Sequence, residues 1–298
     1  MFEAQSSEFL VPYDDSFRVA KAPTSIEVED AKKKLKKRLT KLTGELDDVS
    51  RMLYAEHKHA LLLIFQAMDA AGKDSTIRAV LTGINPVQCQ VFSFKQPTPK
   101  ELDHDFLWRT ARCLPERGHI GVFNRSYYEE VLVVRVHPEI LRAQRLPFLP
   151  DRKELWEERF QSIRDHEKHL AANGMVILKF WLNVSREEQR KRFLSRLEEA
   201  KKHWKFSVRD VEERRYWHAY MHAYEECLNA TSRPWAPWYA IPADNKAYMQ
   251  VQVSEIILRT MESLPLSYPS MNERAKRNFQ KMYTMLMEDT PESDQSSG

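Results

Sequence analysis

The sequence predicts an α/β fold in which a parallel sheet of five strands is covered by helices on both faces. Five short apolar segments alternate along the chain with longer stretches of helical periodicity. Strands in this order pair in parallel through helical crossovers. The most informative segment is residues 60–78, where an apolar run leads into a loop of small residues and then into a helical pattern.

Residues 61–65 are all apolar, which is typical of a strand buried on both faces. Small residues follow from Ala67 to Gly72, and from Lys73 onward apolar residues recur at helical spacing. Strand, small-residue loop, Gly-Lys and helix is the order of a phosphate-binding loop. Backbone N–H groups and a helix N-terminus face an anion in such a loop, and the lysine reaches the outer phosphates.

The match to the pattern G-x-x-x-x-G-K-[ST] is incomplete. Ala67 stands at the first glycine position, and Asp74 stands where a hydroxyl would hold magnesium, with Ser75 one position late. An ordinary strand–turn–helix with a chance Gly-Lys pair is the alternative. The chain has only 7 glycines in 298 residues, and one is Gly72, where an unhindered backbone is most useful. This economy favours the phosphate loop.

The same patterns predict the other elements. We expect further strands at residues 88–94, 119–124, 175–184 and 238–241. We expect helices at about 24–56, from 73, from 100, and at 151–172, 186–205, 208–229, 246–261 and 268–288. Thr24 and Glu27 form a potential capping box at the start of the first helix. Residues 1–23 are expected to be a surface arm and residues 290–298 to be disordered.

These elements divide the chain into three parts. Residues 1–57 form an arm and a long basic helix, residues 58–265 form the core with a lid at about 185–210, and residues 266–298 form a peripheral helix and tail. Seven basic residues crowd the first half of the long helix. We expect this helix to pack on the core with a solvated basic face. A dimeric coiled coil and a surface facing a polyanion are the alternatives.

Basic residues also gather after the fourth strand. Residues 186–205 contain eight basic and four acidic residues, and Arg192 and Arg196 lie on one helix face. A charge run is usually a solvated face, but nucleotide kinases carry an arginine-bearing lid at this place, which closes over the phosphates. Lys95, at a strand end, and Arg109, on a helix, are further candidates for anion contacts.

The third strand ends on Asn124, where phosphate-loop proteins often place a carboxylate that holds magnesium. An amide is a weaker ligand for this hard cation. The candidate magnesium ligands are therefore Asp69 in the loop, or Glu129 or Glu130 after the strand.

Composition excludes several classes. The three cysteines are scattered and form no disulfide framework, which is typical of a reducing cytoplasm. The N-terminus lacks the pattern of a signal peptide and no apolar run could span a membrane, so we expect a cytoplasmic protein without a membrane partner. The net charge of +3 is too close to neutral, and the basic face too local, to predict a nucleic-acid partner.

With these motifs in place, the chain resembles the polyphosphate kinase 2 family. The resemblance covers roughly residues 58–262, in family order, and is carried by Met68–Lys73, Ser93–Pro99, Leu102–Arg109, Pro115–Tyr128, Trp204–Ser207 and Pro237–Lys246. It implies a P-loop kinase with a thymidylate-kinase-like, three-layer αβα fold and a helical lid. It also implies reversible phosphoryl transfer between inorganic polyphosphate and nucleotides, with Mg²⁺, or Mn²⁺ in its place.

The strand end Phe-Asn-Arg-Ser-Tyr-Tyr-Glu fits the branch of the family that phosphorylates both AMP and ADP. The expected substrates are therefore adenine nucleotides, with guanine nucleotides as a further possibility. We also expect a homo-oligomer, either a dimer or a tetramer.

We assign roles on this basis. The catalytic residues are Asp69, which also holds magnesium, Lys73, Asn124 and Arg125. The phosphate-binding residues are Ala70, Ala71, Gly72, Asp74 and Ser75 in the loop, Arg192 and Arg196 on the lid, and Lys95, Arg109 and Lys205 along a channel. An ATP-dependent nucleoside monophosphate kinase of the same fold is the main alternative, and a polyanion-binding protein without catalytic activity is the third.

Overall fold

The computed structural model describes residues 2–27, 32–148 and 151–289. Its five strands form one parallel sheet in the order β2-β3-β1-β4-β5. They are β1 (Ala60–Gln66), β2 (Cys89–Ser93), β3 (Ile120–Asn124), β4 (Met175–Asn183) and β5 (Trp238–Pro242). The predicted α/β fold with a five-stranded parallel sheet is confirmed, and each strand lies within about one residue of its expected place.

Twelve α-helices are present in the described residues. They are α1 (Lys32–Glu56), α2 (Lys73–Val80), α3 (Pro99–Leu102), α4 (Trp108–Ala111), α5 (Glu129–Val136), α6 (Pro138–Ala143), α7 (Arg152–Ala172), α8 (Arg186–Glu198), α9 (Val208–Glu212), α10 (Trp217–Thr231), α11 (Lys246–Glu262) and α12 (Glu273–Glu288). None of these described helices is long and apolar enough to cross a membrane.

Several helices differ from their predicted extent. The helix expected at 186–205 ends at Glu198 and continues as a 3-10 turn, and the one expected at 208–229 is interrupted by a second 3-10 turn. The helix expected from residue 100 is two separate short turns, and α5 and α6 were not foreseen. The segments that line one edge of the sheet are thus shorter and more irregular than their periodicity predicts.

Strand β1 occupies the centre of the sheet, between β3 and β4, and all seven of its residues are buried. Phe65, near its end, pairs with Asn124 at the end of β3. Because β3 and β4 flank β1 on opposite sides, the connections diverge there, which makes this edge the usual ligand site of an open α/β sheet. The loop after β1 and the residues after β3 therefore face one crevice.

The expectation of a surface arm at residues 1–23 is wrong for its middle part. Phe9 and Val11 are buried, the Val11 N–H donates to the Trp238 carbonyl at 2.9 Å, and the Ala240 N–H donates to the Phe9 carbonyl at 2.8 Å. The arm therefore pairs with β5 and covers an edge of the sheet that would otherwise expose unpaired backbone groups. The sequence analysis could not foresee this pairing, because the order of the strands in the sheet decides which strand lies at the edge.

The capping-box start of the first helix is also wrong, because residues 24–27 are not helical. The Asn183 side chain donates to the carbonyls of Ala22 and Pro23, and the Asp244 N–H donates to the Thr24 carbonyl at 2.9 Å. These bonds hold the chain in an extended form across the ends of β4 and β5.

Helix α1 buries Leu35, Leu42, Leu46 and Leu53 and packs against α11. The expectation of a helix packed on the core is confirmed. The predicted disordered segment, residues 290–298, lies outside the described residues.

Candidate active site

A cleft of about 1020 Å³ opens at the carboxyl edge of the sheet. Eleven basic and seven acidic side chains line it, so its walls carry a surplus of positive charge. Among the predicted site residues, it is lined by Asp69, Ala70, Gly72, Lys73, Asp74, Ser75, Lys95, Arg109, Asn124, Arg125, Glu129, Glu130, Arg192, Arg196 and Lys205. Only Ala71 is missing from the lining, and it lies fully buried beneath the loop.

The loop after β1 has the backbone of an anion site. Gly72 has φ +114°, and a methyl group there would come within 3.1 Å of the Met249 side chain, so position 72 requires glycine. Ala70 also has a positive φ, of +61°. A non-glycine residue in this region is strained, and such strain is concentrated at functional sites. The loop leads directly into the N-terminus of α2, where backbone N–H groups lack helical partners.

Lys73 is buried at the base of this loop. Its ammonium donates to the carbonyl oxygens of Ala67, at 2.9 Å, and Met68, at 3.4 Å. Burial, followed by the nearby charge of Arg125, lowers the pKa of Lys73. The side chain is thus folded back on the loop, with its charge at the floor of the cleft.

Arg125 lies between two carboxylates at the end of β3. Its guanidinium donates to Asp69 at 2.6 Å and to Glu129 at 3.1 Å. Glu129 is the main cause of a raised pKa for Arg125, which burial opposes and Asp69 reinforces. Arg125 has φ +65°, and its N–H donates to the Phe65 carbonyl at 3.0 Å. This backbone turn points a permanent cation at the loop.

Two of the departures from the phosphate-loop pattern, Asp74 and Asn124, are hydrogen-bonded to each other. The Asn124 side-chain amide donates to the Asp74 carboxylate at 2.7 Å. A carboxylate at position 124 would repel Asp74 at this distance. The amide at the end of β3 and the acid in the first turn of α2 therefore form a matched pair.

The carboxylates of this cleft fit a cation that takes few protein ligands. No cluster of three or more His, Cys, Asp or Glu side chains that could hold a metal exists in the part of the chain that the structure describes. Mg²⁺ commonly uses one or two carboxylates and completes its shell with water and substrate phosphates. Asp69 and Glu129, which flank Arg125, suit that mode of binding.

Glu130, the other candidate ligand, is engaged elsewhere. Its carboxylate accepts from Arg159 at 2.9 Å and from Gln144 at 2.5 Å, and both members of the Arg159–Glu130 ion pair are 5% exposed. A buried carboxylate already neutralised by arginine is a poor ligand for an added cation. The structure therefore favours Glu129 over Glu130.

Arg192 has different partners from those expected of a lid arginine. It is buried, and one end of its guanidinium donates to the carbonyls of Ala70 and Ala71 at 3.1 and 2.5 Å. The other end donates to the carbonyls of Ala243 and Asp244 at 2.7 and 3.0 Å. Arg192 thus ties the phosphate loop to the segment after β5.

Gln189, one turn earlier on α8, reinforces this connection. Its amide donates to the Asp69 carbonyl at 2.8 Å. Together, Gln189 and Arg192 bind three successive carbonyls of the loop, Asp69 to Ala71. The sequence analysis explained the loop conformation by glycine. The structure shows that it also depends on these two side chains of α8, which are distant from the loop in the sequence.

The remaining cations form the outer wall. Arg109 is buried, donates to the Lys95 carbonyl at 2.7 Å, and lies 5.6 Å from the centre of the Phe94 ring. Arg196 contacts Asp210 at 3.4 Å. Lys205 is exposed, with its ammonium 4.9 Å from the Trp204 ring. Every predicted phosphate contact outside the loop, except Arg192, lies on this wall.

Sequence reasoning missed several residues of the cleft: Lys191, Lys202, Trp204, Arg209, Asp210, Glu213, Tyr220 and Lys246. Lys191 and Lys202 belong to the basic run of residues 186–205, but the run itself does not show which of its members face the cleft. Tyr220 is only 7% exposed, yet it lines the cleft and donates to Glu213 at 2.9 Å. Burial, and secondarily Asp69, raises the pKa of Asp210.

A second charged network lies beneath the cleft. Lys179, in β4, forms an ion pair with Glu167 of α7 at 2.6 Å, and both side chains are fully buried. Tyr127 and Tyr128, just after Arg125, donate to Glu167 at 2.9 and 2.7 Å. This network anchors the segment that carries Arg125.

Known proteins resemble this chain over most of its length. A family model described as Polyphosphate kinase 2 (PPK2) matches residues 29–269. An ADP-polyphosphate phosphotransferase of Rhodopseudomonas palustris is 51% identical, over 95% of this chain and 99% of the relative. An AMP/ADP-polyphosphate phosphotransferase of Meiothermus ruber is 43% identical, over 78% of this chain and 82% of the relative.

The fold agrees with these similarities. The crystal structure of Polyphosphate Kinase 2 from Arthrobacter aurescens TC1 superimposes with a TM-score of 0.84 at 34% identity. The match covers 95% of this chain and 99% of that chain. On the family match, the relatives and the shared structure, the protein belongs to the polyphosphate kinase 2 family.

Proposed function

We propose that this protein transfers phosphoryl groups between inorganic polyphosphate and adenine nucleotides, in both directions. The observation that carries the proposal is the charge of the cleft: a phosphate loop at its floor continues into a wall of cations. Lys95, Arg109, Arg196 and Lys205 lie on the outer wall, beyond the phosphate loop, and a polymeric polyanion occupies such a surface along its length.

The chemistry requires alignment of attacking oxygen, phosphorus and leaving oxygen, and neutralisation of charge. We assign the loop N–H groups and Lys73 to the phosphates at the floor of the cleft. Arg125 offsets charge on the transferring group, because it is the permanent cation nearest to both Asp69 and the end of β3. Arg192 and Gln189 hold the loop in its strained form and so position its N–H groups.

Asp69, with Glu129 beside it, is the proposed site for Mg²⁺, or for Mn²⁺ in its place. A divalent cation held by these carboxylates would neutralise the negative charge that develops on the phosphate oxygens during transfer. Arg125 donates to both carboxylates, at 2.6 and 3.1 Å from its nitrogens, and so holds them near each other.

We propose that both AMP and ADP are acceptors. One relative is named for ADP and another for AMP and ADP, so the names alone leave the acceptor open. Asn124 favours both, because an amide at the end of β3 carries no charge to repel the terminal phosphate of AMP. Its bond to Asp74 also turns that carboxylate toward the protein.

The test is a phosphoryl-transfer assay with Mg²⁺ and long-chain polyphosphate, offering AMP and ADP separately, with ATP plus AMP in a parallel reaction. ATP formed from ADP, and ADP formed from AMP, each only with polyphosphate, support the proposal. Transfer only from ATP to AMP contradicts it and identifies an ordinary nucleotide kinase. Binding of polymer without turnover would leave only the polyanion-binding alternative.

A further inference from the structure

Helix α12 stands apart from the rest of the molecule. All of its described residues are exposed except Ala275, which is half-buried. Its side chains make hydrogen bonds and ion pairs only within the helix and its own cap, among the residues that the structure describes. An isolated helix of this length is marginal in water, so packing against another surface is needed to hold it.

Six large apolar side chains of α12 are exposed. Leu286 is 73% exposed and Phe279 is 59% exposed. These six residues are Phe279, Met282, Tyr283, Met285, Leu286 and Met287. Contiguous exposed apolar surface of this kind marks an interaction site.

The apolar residues follow the spacing of a two-helix seam. Ala275, Phe279, Met282 and Leu286 are four, three and four residues apart, which is the a/d spacing of a coiled coil. On the opposite side of the helix, Arg277 and Thr284 are polar. The pattern therefore fits one helical partner along one face.

Charge along the helix is asymmetric. The first half has one acidic residue, Glu273, and three basic ones, Arg274, Lys276 and Arg277, and Lys281 follows directly after it. The helix ends at Glu288 and Asp289 follows it, and no residue after Lys281 is basic. A partner helix running in the opposite direction with the same sequence would place its acidic end beside this basic half.

From these observations we propose that α12 pairs antiparallel with α12 of a second copy of the chain. Pairing centred between Phe279 and Met282 places Ala275 opposite Leu286 and Phe279 opposite Met282. Each layer then joins a small residue to a large one, or an aromatic ring to a flexible thioether. Every layer occurs twice about a two-fold axis, as an isologous dimer contact requires.

Parallel pairing fits the same sequence poorly. It would stack Ala275 on Ala275 and Phe279 on Phe279, leaving a void in one layer and crowding the next. It would also bring the two basic halves together. Size and charge are thus both complementary within this single helix, which is why the occupant is a second copy rather than an unrelated protein.

This contact is separate from the cleft. No residue of α12 lines the cleft, so changes on the helix face should leave phosphoryl transfer intact. The oligomeric state and the activity can therefore be tested independently.

The experiment is molar mass by light scattering and sedimentation, on the full chain of 35.2 kDa. Met282→Lys and Leu286→Lys place charge in the seam, and Thr284→Lys is the matched control on the opposite face. At about 20 µM the seam variants should have half the mass of the wild type, and the control should keep the wild-type mass. A monomeric wild type, seam variants of unchanged mass, or a control that dissociates equally would overturn the proposal.

The relative direction of the two α12 helices is tested by oxidative cross-linking. The wild type is the control for the three native cysteines. Ala275→Cys combined with Leu286→Cys should give a covalent dimer, because each layer then holds one cysteine from each copy. Ala275→Cys alone should not. Cross-linking by the single Ala275→Cys variant would show parallel pairing and overturn the antiparallel arrangement.

Discussion

Two charged networks include residues of the same short segment after β3, Arg125 in one and Tyr127 and Tyr128 in the other, and they differ in burial. Arg125 joins Asp69 and Glu129 at the floor of the cleft, where the three side chains are 36%, 26% and 15% exposed. Lys179 joins Glu167 beneath it, and both are 0% exposed. We call the Arg125 network open, because a ligand in the cleft can reach it, and the Lys179 network closed, because it is fully buried.

The difference in hydrogen bonding shows what each network is for. The three donors of the Lys179 ammonium meet Glu167, the Tyr128 hydroxyl and the Thr231 carbonyl at 2.6, 2.8 and 2.8 Å. Arg125 uses two of its five side-chain donors on carboxylates. A saturated network is a structural support, whereas an open one can exchange partners with a phosphate.

The largest effect should come from breaking the closed network. Lys179→Met leaves Glu167 buried without its cation and should lower the free energy of unfolding by about 3–5 kcal/mol. Urea unfolding measures this. The double variant Lys179→Met/Glu167→Leu removes both charges and should recover part of the loss. A single-variant loss below about 1 kcal/mol would mean that the pair is not a support.

Removing a carboxylate from the Arg125 network should lower the rate of phosphoryl transfer rather than the stability. Asp69→Asn removes the proposed metal carboxylate and should lower kcat by roughly 10²–10³-fold, or about 3–4 kcal/mol in the barrier. The free energy of unfolding should change by less than about 1 kcal/mol. Asp47→Asn, in a partly exposed ion pair on α1 with Arg51, is the matched control. Near-normal kcat of Asp69→Asn with Mg²⁺ would refute the metal role.

Arg192 lies between these extremes, because it is buried but touches the loop. Arg192→Lys cannot hold both segments at once and should lower stability by about 1.5–3 kcal/mol. It should also lower kcat/KM roughly 10–100-fold through the displaced loop. Arg196→Lys, whose guanidinium makes hydrogen bonds of 3.3 and 3.4 Å and lies 5.1 Å from the Phe193 ring centre, should leave stability unchanged, since lysine can keep a cation near the ring. A loss of rate in Arg192→Lys with full stability would instead favour direct phosphate contact.

The smallest effect should occur on the outer wall. Lys205→Ala removes one exposed cation and should raise the KM for polyphosphate several-fold, with kcat unchanged. The change should shrink as salt is added, because exposed charges are screened. Lys58→Ala, an exposed lysine away from the cleft, serves as the control. An equal effect from both variants, or a change in nucleotide KM alone, would argue against a polymer channel at Lys205.

Much of the site could be predicted from the sequence because its parts lie close together along the chain. The apolar run of β1, the small-residue loop, Gly72 and Lys73 are consecutive, and each imposes its own backbone preference. The strand ends at Lys95 and Asn124 could be assigned to the same edge because parallel strands end together. The segments that resemble the polyphosphate kinase 2 family indicated which reaction to expect.

The sequence by itself thus determined the strands, the phosphate loop and the set of residues that gather at one edge of the sheet. Only the tertiary structure decided which of them pair: Asn124 with Asp74, Glu130 with Arg159, and Arg192 with the loop itself. These contacts join positions 29 to 122 residues apart. Side-chain hydrogen bonding across such distances depends on how the elements pack, and local periodicity carries no record of that packing.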